Sequence, residues 1–151
     1  MKILHRLALA SFLTIAILSR AEDPKKLPTA PSNEAKAYKN VGVDGFDKLR
    51  SDKKNVVLDV RTPKEFQSGH IAGAVNIDWN APDFEKQVNE LDKGRTYLVH
   101  CAAGGRSAKA SEKLATLNFK SIYNLEGGLR AWEKAGKPVE KQKSAGGSAW
   151  P

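Results

Sequence analysis

The chain has 151 residues, 40% of them hydrophobic and 28% charged, which is enough apolar content for one packed domain. It carries 25 Lys and Arg against 17 Asp and Glu, a formal charge of +8, yet the basic residues are mixed with acids, as in "DKLRSDKK" and "EKAGKPVEKQK". No stripe of Lys and Arg interleaved with aromatics occurs, so nucleic-acid binding is not expected, and a single cysteine, Cys101, rules out an internal disulfide.

In chain order, "MKILHR" is basic, "LALASFLTIAIL" is apolar, and "SRA" closes on small residues at Ala21. This is the pattern of a secretory signal peptide over residues 1–21. The apolar run is interrupted by Ser11 and Thr14 and stops at Ser19, short of the roughly 18 apolar residues a membrane span requires. The protein is therefore expected to be periplasmic or secreted, with no membrane attachment once the signal is cleaved. Cleavage removes Lys2, Arg6 and Arg20 and no acid, so the mature chain stays basic, a field that draws small anions toward a site. "EDPKKLPTAPSNEAK", with three prolines, reads as a flexible linker over 22–36, and "EKQKSAGGSAWP" as part of a flexible tail over 139–151. The domain is expected over 37–138, as a monomer.

Within it, "NVVLDV" (55–60) is a continuous Val-rich run bounded by polar residues and Pro63, which predicts a strand buried on both faces. "GAVNI" (73–77), "TYLVH" (96–100) and "SIYNL" (121–125) predict further short strands. Helices are expected in "PKEFQS", with Pro63 in its first turn, and in "APDFEKQVNEL", "RSAKASEKLATLNF" and "LRAWEKAG". Strand and helix in alternation predict an α/β fold with a parallel sheet covered on both faces by helices. Ligands of such sheets bind beyond the carboxyl ends of the strands, where Cys101 falls.

"VHCAAGGRSAKA" (99–110) runs from strand to helix through that cysteine. Successive backbone N–H groups in such a turn point inward and form an anion-binding nest, and Gly104 and Gly105 permit dihedrals that a side chain forbids. The same amides, the positive helix end and Arg106 should lower the Cys101 pKa below that of a free thiol. Ala102 and Ala103 keep the rim small, so the sulfur is expected to be exposed. A buried structural cysteine would not account for the glycines and the arginine that follow.

These segments resemble the rhodanese family. "VVLDVRTPKEFQSGHIAGAVNI" is similar to its early signature, "VHCAAGGRSAKA" to its active-site loop and "YNLEGGLRAW" to its closing segment, in order and spacing over about 37–138. The resemblance implies a five-stranded parallel sheet with helices on both faces. It also implies a sulfurtransferase that moves sulfane sulfur from thiosulfate or a persulfide to a thiophilic acceptor through a persulfide on Cys101. By that match Arg106 faces the anionic oxygens of the donor, and the amides of Ala102, Ala103, Gly104, Gly105, Arg106 and Ser107 hold the outer sulfur. The partners implied are a small anionic sulfur donor and a thiol or cyanide acceptor, with no cofactor. A secreted single-domain form resembles the periplasmic rhodaneses of bacteria.

Two rivals remain open. Cysteine-dependent phosphatases and arsenate reductases of a similar fold place five residues between Cys and Arg, whereas Cys101 and Arg106 enclose four, a smaller ring that suits one sulfur atom better than a tetrahedral oxyanion. His100 fits the phosphatase pattern as written and equally fits a buried strand end. The other rival is a non-catalytic rhodanese-like binding module, against which the presence of Cys101 speaks. Among the remaining candidates, His70 reads as a structural hydrogen-bonding residue, with no metal site expected. Asp59 and Arg61 flank a strand end, and Arg61 is spaced to pair with Glu65. Arg61 is a candidate either for clamping the loop or for touching substrate. Trp79 and Trp132 read as core residues or as the rim of a pocket.

Overall fold

In the computed structural model of the protein, residues 37–141 are described. The expected signal peptide and linker, and the tail from residue 142 on, lie outside the described residues. Five strands, β1 (Lys39–Val41), β2 (Val56–Asp59), β3 (Val75–Asn76), β4 (Thr96–His100) and β5 (Ser121–Leu125), form one sheet in the order β1-β5-β4-β2-β3. Every pairing is parallel, so all five strands end on the same edge. Between and after them run α1 (Val43–Arg50), α2 (Pro63–Ser68), α3 (Phe84–Asn89), α4 (Gly105–Thr116) and α5 (Gly128–Lys134).

Side chains alternate across each strand and build two cores. On one face Leu58, Tyr97, Val99 and Ile122 pack with Phe84, Val88, Ala110 and Leu114 of α3 and α4. On the other, Val57, Leu98 and Leu125 pack with Phe46 of α1 and with Leu129 and Trp132 of α5. Continuous Val, Leu and Ile runs are what a sheet covered on both sides requires. Trp132 is fully buried and its indole N–H donates to the Pro138 carbonyl at 2.9 Å. Trp79 is half-buried and meets Phe84 edge to face at 5.0 Å between ring centroids.

The strand and helix alternation read from the sequence holds for four strands and four helices. β1 and α1 carry no comparable signal, because β1 exposes two of its three residues and α1 buries only Phe46. The expected strand 73–77 shortens to two residues, and the helix expected to 119 ends at Thr116 because Asn118 turns left-handed at φ 67°. The tail expected to be loose from residue 139 is held at its start: His70 and Glu140 exchange two backbone hydrogen bonds of 2.8 Å.

Candidate active site

The carboxyl edge of the sheet is set by β2 and β4, whose final residues Asp59 and His100 sit in register. Cys101 follows directly, and the chain turns through Ala102, Ala103 and Gly104 into α4. The left-handed φ of 98° at Gly104 makes that turn possible. Gly105 needs no such freedom. It is the first residue of α4, its φ is not positive, and a Cβ there would meet nothing within 4 Å.

The turn closes on the sulfur. The Gly104 N–H points at Cys101 Sγ from 3.1 Å, and the Ser107 hydroxyl stands 3.4 Å from Sγ and 3.1 Å from the Gly104 carbonyl. Burial pushes the thiol pKa up. The Ser107 hydroxyl and the backbone N–H groups of Ser107, Ala103 and Gly104 outweigh it, so the pKa lies below its ordinary value. Cys101 is 2% exposed. The expectation of an exposed sulfur is thus corrected, because the inward amides fold the loop over the thiolate they stabilise.

A second layer fixes the loop from behind. The N–H groups of Leu129 and Arg130, at the start of α5, donate to the Cys101 and Ala102 carbonyls at 2.8 and 3.0 Å. Gly128, at φ 58°, allows this approach, since a Cβ there would lie 2.4 Å from the Cys101 carbonyl oxygen and 2.8 Å from Ala103 N. The sequence marks the position as a Gly-Gly pair before a helix, but its role as backing for the loop depends on long-range packing.

Beneath the loop lies a buried polar cluster. Arg61, 4% exposed, donates from Nε and Nη2 to the Asp59 carboxylate, with Nη2 to Oδ2 at 2.6 Å, and from Nη2 to the Gly69 carbonyl at 2.7 Å. Asn76 ties the strand ends together by donating to the Asp59 and Arg61 carbonyls. His100 is fully buried with Nε2 3.6 Å from Asp59 Oδ2, and burial brings its pKa down to about 4, so it is neutral at pH 7. His70 stacks on Phe66 at 3.8 Å, with Nδ1 3.0 Å from the Phe66 carbonyl oxygen.

Arg106 lies on the rim and is already paired. Its two terminal nitrogens reach both oxygens of Glu65 at 2.8 and 2.7 Å. Glu65 is also the third residue of a capping box with Thr62 at the start of α2. The spacing of Arg61 and Glu65 had suggested that these two pair, but Asp59 is nearer in the fold to Arg61 and takes its guanidinium. Arg106 is likewise not among the largest influences on the thiol, which its commitment to Glu65 explains. The Ser107 hydroxyl was not singled out from sequence; Glu65 was, but as a partner for Arg61 and not for Arg106, and its place in the capping box is a local signal that sequence reasoning did not use.

Residues 43–135 match the rhodanese-like domain family. The chain belongs to that family. The chloroplastic thiosulfate sulfurtransferase 16 of Arabidopsis thaliana is 38% identical over 93 residues, covering 55% of this chain and 78% of that protein. A tRNA uridine(34) hydroxylase of Pelagibacter ubique is 36% identical over 117 residues, 76% of this chain but only 39% of that longer protein. The crystal structure of a rhodanese-related protein from Thermoplasma volcanium matches with a TM-score of 0.61 at 33% identity, covering 70% of this chain and all of that one, 100%. The five-stranded parallel sheet expected from sequence is the rhodanese-like fold of these neighbours. With sulfurtransferases among its relatives, this rhodanese-like domain falls among the enzymes of the superfamily.

Proposed function

We propose that the protein is a sulfurtransferase that takes sulfane sulfur from thiosulfate or a persulfide onto Cys101 and hands it to a thiol or cyanide. The observation that carries this reading is the ring of donors around one sulfur atom, with Gly104 N 3.1 Å and Ser107 Oγ 3.4 Å from Sγ. In the first step the Cys101 thiolate attacks the outer sulfur of thiosulfate. A new S–S bond forms, the bond to the sulfonate sulfur breaks, and its electron pair leaves with sulfite. In the second, cyanide or a thiolate attacks the outer sulfur, and the Cys101 thiolate is restored as thiocyanate or a persulfide departs. The inward amides are the donors suited to a terminal persulfide sulfur carrying negative charge. Arg106 stands at the rim to receive the sulfonate oxygens when it exchanges partners with Glu65.

The four-residue spacing between Cys101 and Arg106, and the engagement of Arg106 with Glu65, favour this reading over hydrolysis of a phosphate ester. We further propose that the enzyme works in the periplasm or outside the cell, on the strength of the signal-like residues 1–21. Amino-terminal sequencing of the protein recovered from its host tests this, with a start at residue 22 expected.

Intact mass measurement after incubation with thiosulfate tests the chemistry. One added sulfur on Cys101, discharged by cyanide as thiocyanate, is expected, and Cys101→Ser should lose both while keeping its circular dichroism spectrum. Hydrolysis of an aryl phosphate at Cys101 with no sulfur uptake would replace this reading with the phosphatase one.

A further inference from the structure

Beside the active-site loop lies an open cavity of about 240 Å³, bordered by Ala102, by Arg61 and Gly69 of the segment after β2, and by Leu129, Arg130 and Glu133 of α5. Its walls carry charges the fold leaves unspent. Arg130 and Glu133 are exposed and one helical turn apart, and neither forms an ion pair or a side-chain hydrogen bond among the described residues. Arg61 is buried, with Nε and Nη2 engaged by Asp59 and Gly69, while its Nη1 has no acceptor among the described residues.

We propose that this cavity is the acceptor subsite, and that it selects a small thiol bearing an α-amino acid end, with both an ammonium and a carboxylate. The inference rests on the sulfurtransferase reading of Cys101. The Arg130 guanidinium offers a charge-assisted, forked set of donors to a carboxylate, Arg61 adds its one free nitrogen, Nη1, and the Glu133 carboxylate is placed on the same wall for the ammonium. A purely anionic ligand would meet the repulsion of Glu133, and a purely cationic one that of Arg130. A zwitterion meets neither. The cavity borders Ala102, the residue next to the nucleophile, so a ligand only a few atoms long spans from its wall to the loop. The acceptor thiolate then forms a bond to the outer sulfur of the Cys101 persulfide. The Cys101 S–S bond breaks with its electron pair returning to Cys101, and the acceptor leaves as its own persulfide.

The test compares acceptors on full-length enzyme with thiosulfate as donor. L-cysteine carries both charges, cysteamine only the ammonium, 3-mercaptopropionate only the carboxylate and 2-mercaptoethanol neither. The subsite predicts the lowest KM for L-cysteine. Arg130→Gln should raise the L-cysteine and 3-mercaptopropionate values about five- to tenfold while leaving 2-mercaptoethanol unmoved. Glu133→Gln should do the same for L-cysteine and cysteamine. Cyanide, too small to span to the wall, reports on the chemistry at Cys101. Thiocyanate formation with no discrimination among the four thiols, or with both variants unaffected, overturns the subsite and leaves the sulfurtransferase intact. Failure of the wild type to form either a Cys101 persulfide or thiocyanate overturns both.

Discussion

At the scale of single residues, the site works by holding charge close to one sulfur, and two side chains tune it. Ser107 donates to Sγ from a fully buried position, so Ser107→Ala removes a group that favours the thiolate and should move the thiol pKa upward. The expected outcome is slower alkylation of Cys101 by iodoacetamide at neutral pH and a rate-against-pH midpoint above that of the wild type. Glu65 acts on the rim. Hydrogen bonds from Arg106, and then from Thr62, overcome burial and hold its carboxyl down to about 2, so it stays ionised wherever the enzyme operates and keeps Arg106 neutralised. Glu65→Gln leaves a side chain able to complete the capping box but removes the charge. Arg106 is then freer to meet an anionic donor, and the KM for thiosulfate should fall about two- to fivefold, the range available to a partly exposed ion pair. A rise in KM would mean that Arg106 needs Glu65 to hold it in place.

At the scale of elements, the loop is the product of three joints: the end of β4, the start of α4 and the start of α5. The first two were legible in sequence, because a Val-rich run, a cysteine, paired glycines and an arginine mark a strand-to-helix turn. The third was not, because nothing local in "EGGLRAW" tells that α5 packs its first N–H groups against the loop carbonyls. Sequence also treated the loop glycines Gly104 and Gly105 alike, where the fold needs only the first, at φ 98°, and makes a heavier demand on Gly128 of α5 than on Gly105. Gly105→Ala places a Cβ in open space at an ordinary helical position and should be neutral or stabilising by up to about 1 kcal/mol. Gly128→Ala drives a Cβ into the backbone of Cys101, Ala102 and Ala103 at a left-handed φ, and should cost about 2–4 kcal/mol. The difference is measurable as urea midpoints, and the surviving Gly128→Ala protein should also lose sulfur transfer because the loop can no longer sit on α5. Equal stability of the two variants would show that the backing by α5 is dispensable.

At the scale of the whole molecule, alternation of apolar strands and amphipathic helices made the layered parallel sheet readable, while the short edge elements β1 and α1, with little buried surface, left the sequence almost silent. Of the polar cluster under the loop, Asp59 and Arg61 were legible together at a strand end, whereas their meeting with His100 was not, since it depends on the register of β2 and β4. That cluster gives the fold a pH dependence. His100 is buried and neutral, with burial lowering its pKa to about 4, whereas the unfolded chain returns it to about 6.5. Between these values the unfolded state binds more protons than the folded one, so stability is full above about pH 6.5 and declines as the pH falls toward 4. The full loss is about 3 kcal/mol from this one residue. Glu65 contributes in the same direction but at lower pH, because its folded pKa is depressed to about 2 from its ordinary value of 4.5. The interval from pH 5 to 6.5 therefore isolates His100. Urea midpoints measured across that interval should rise with pH in the wild type and flatten in His100→Leu, which has no proton to bind. The slope is the readout, so the comparison holds even if the variant is less stable throughout. A wild-type midpoint that does not change over the interval would mean that His100 binds protons equally in the folded and unfolded states, and one that falls with rising pH would mean that it stays protonated in the folded protein, paired with Asp59 as an ion.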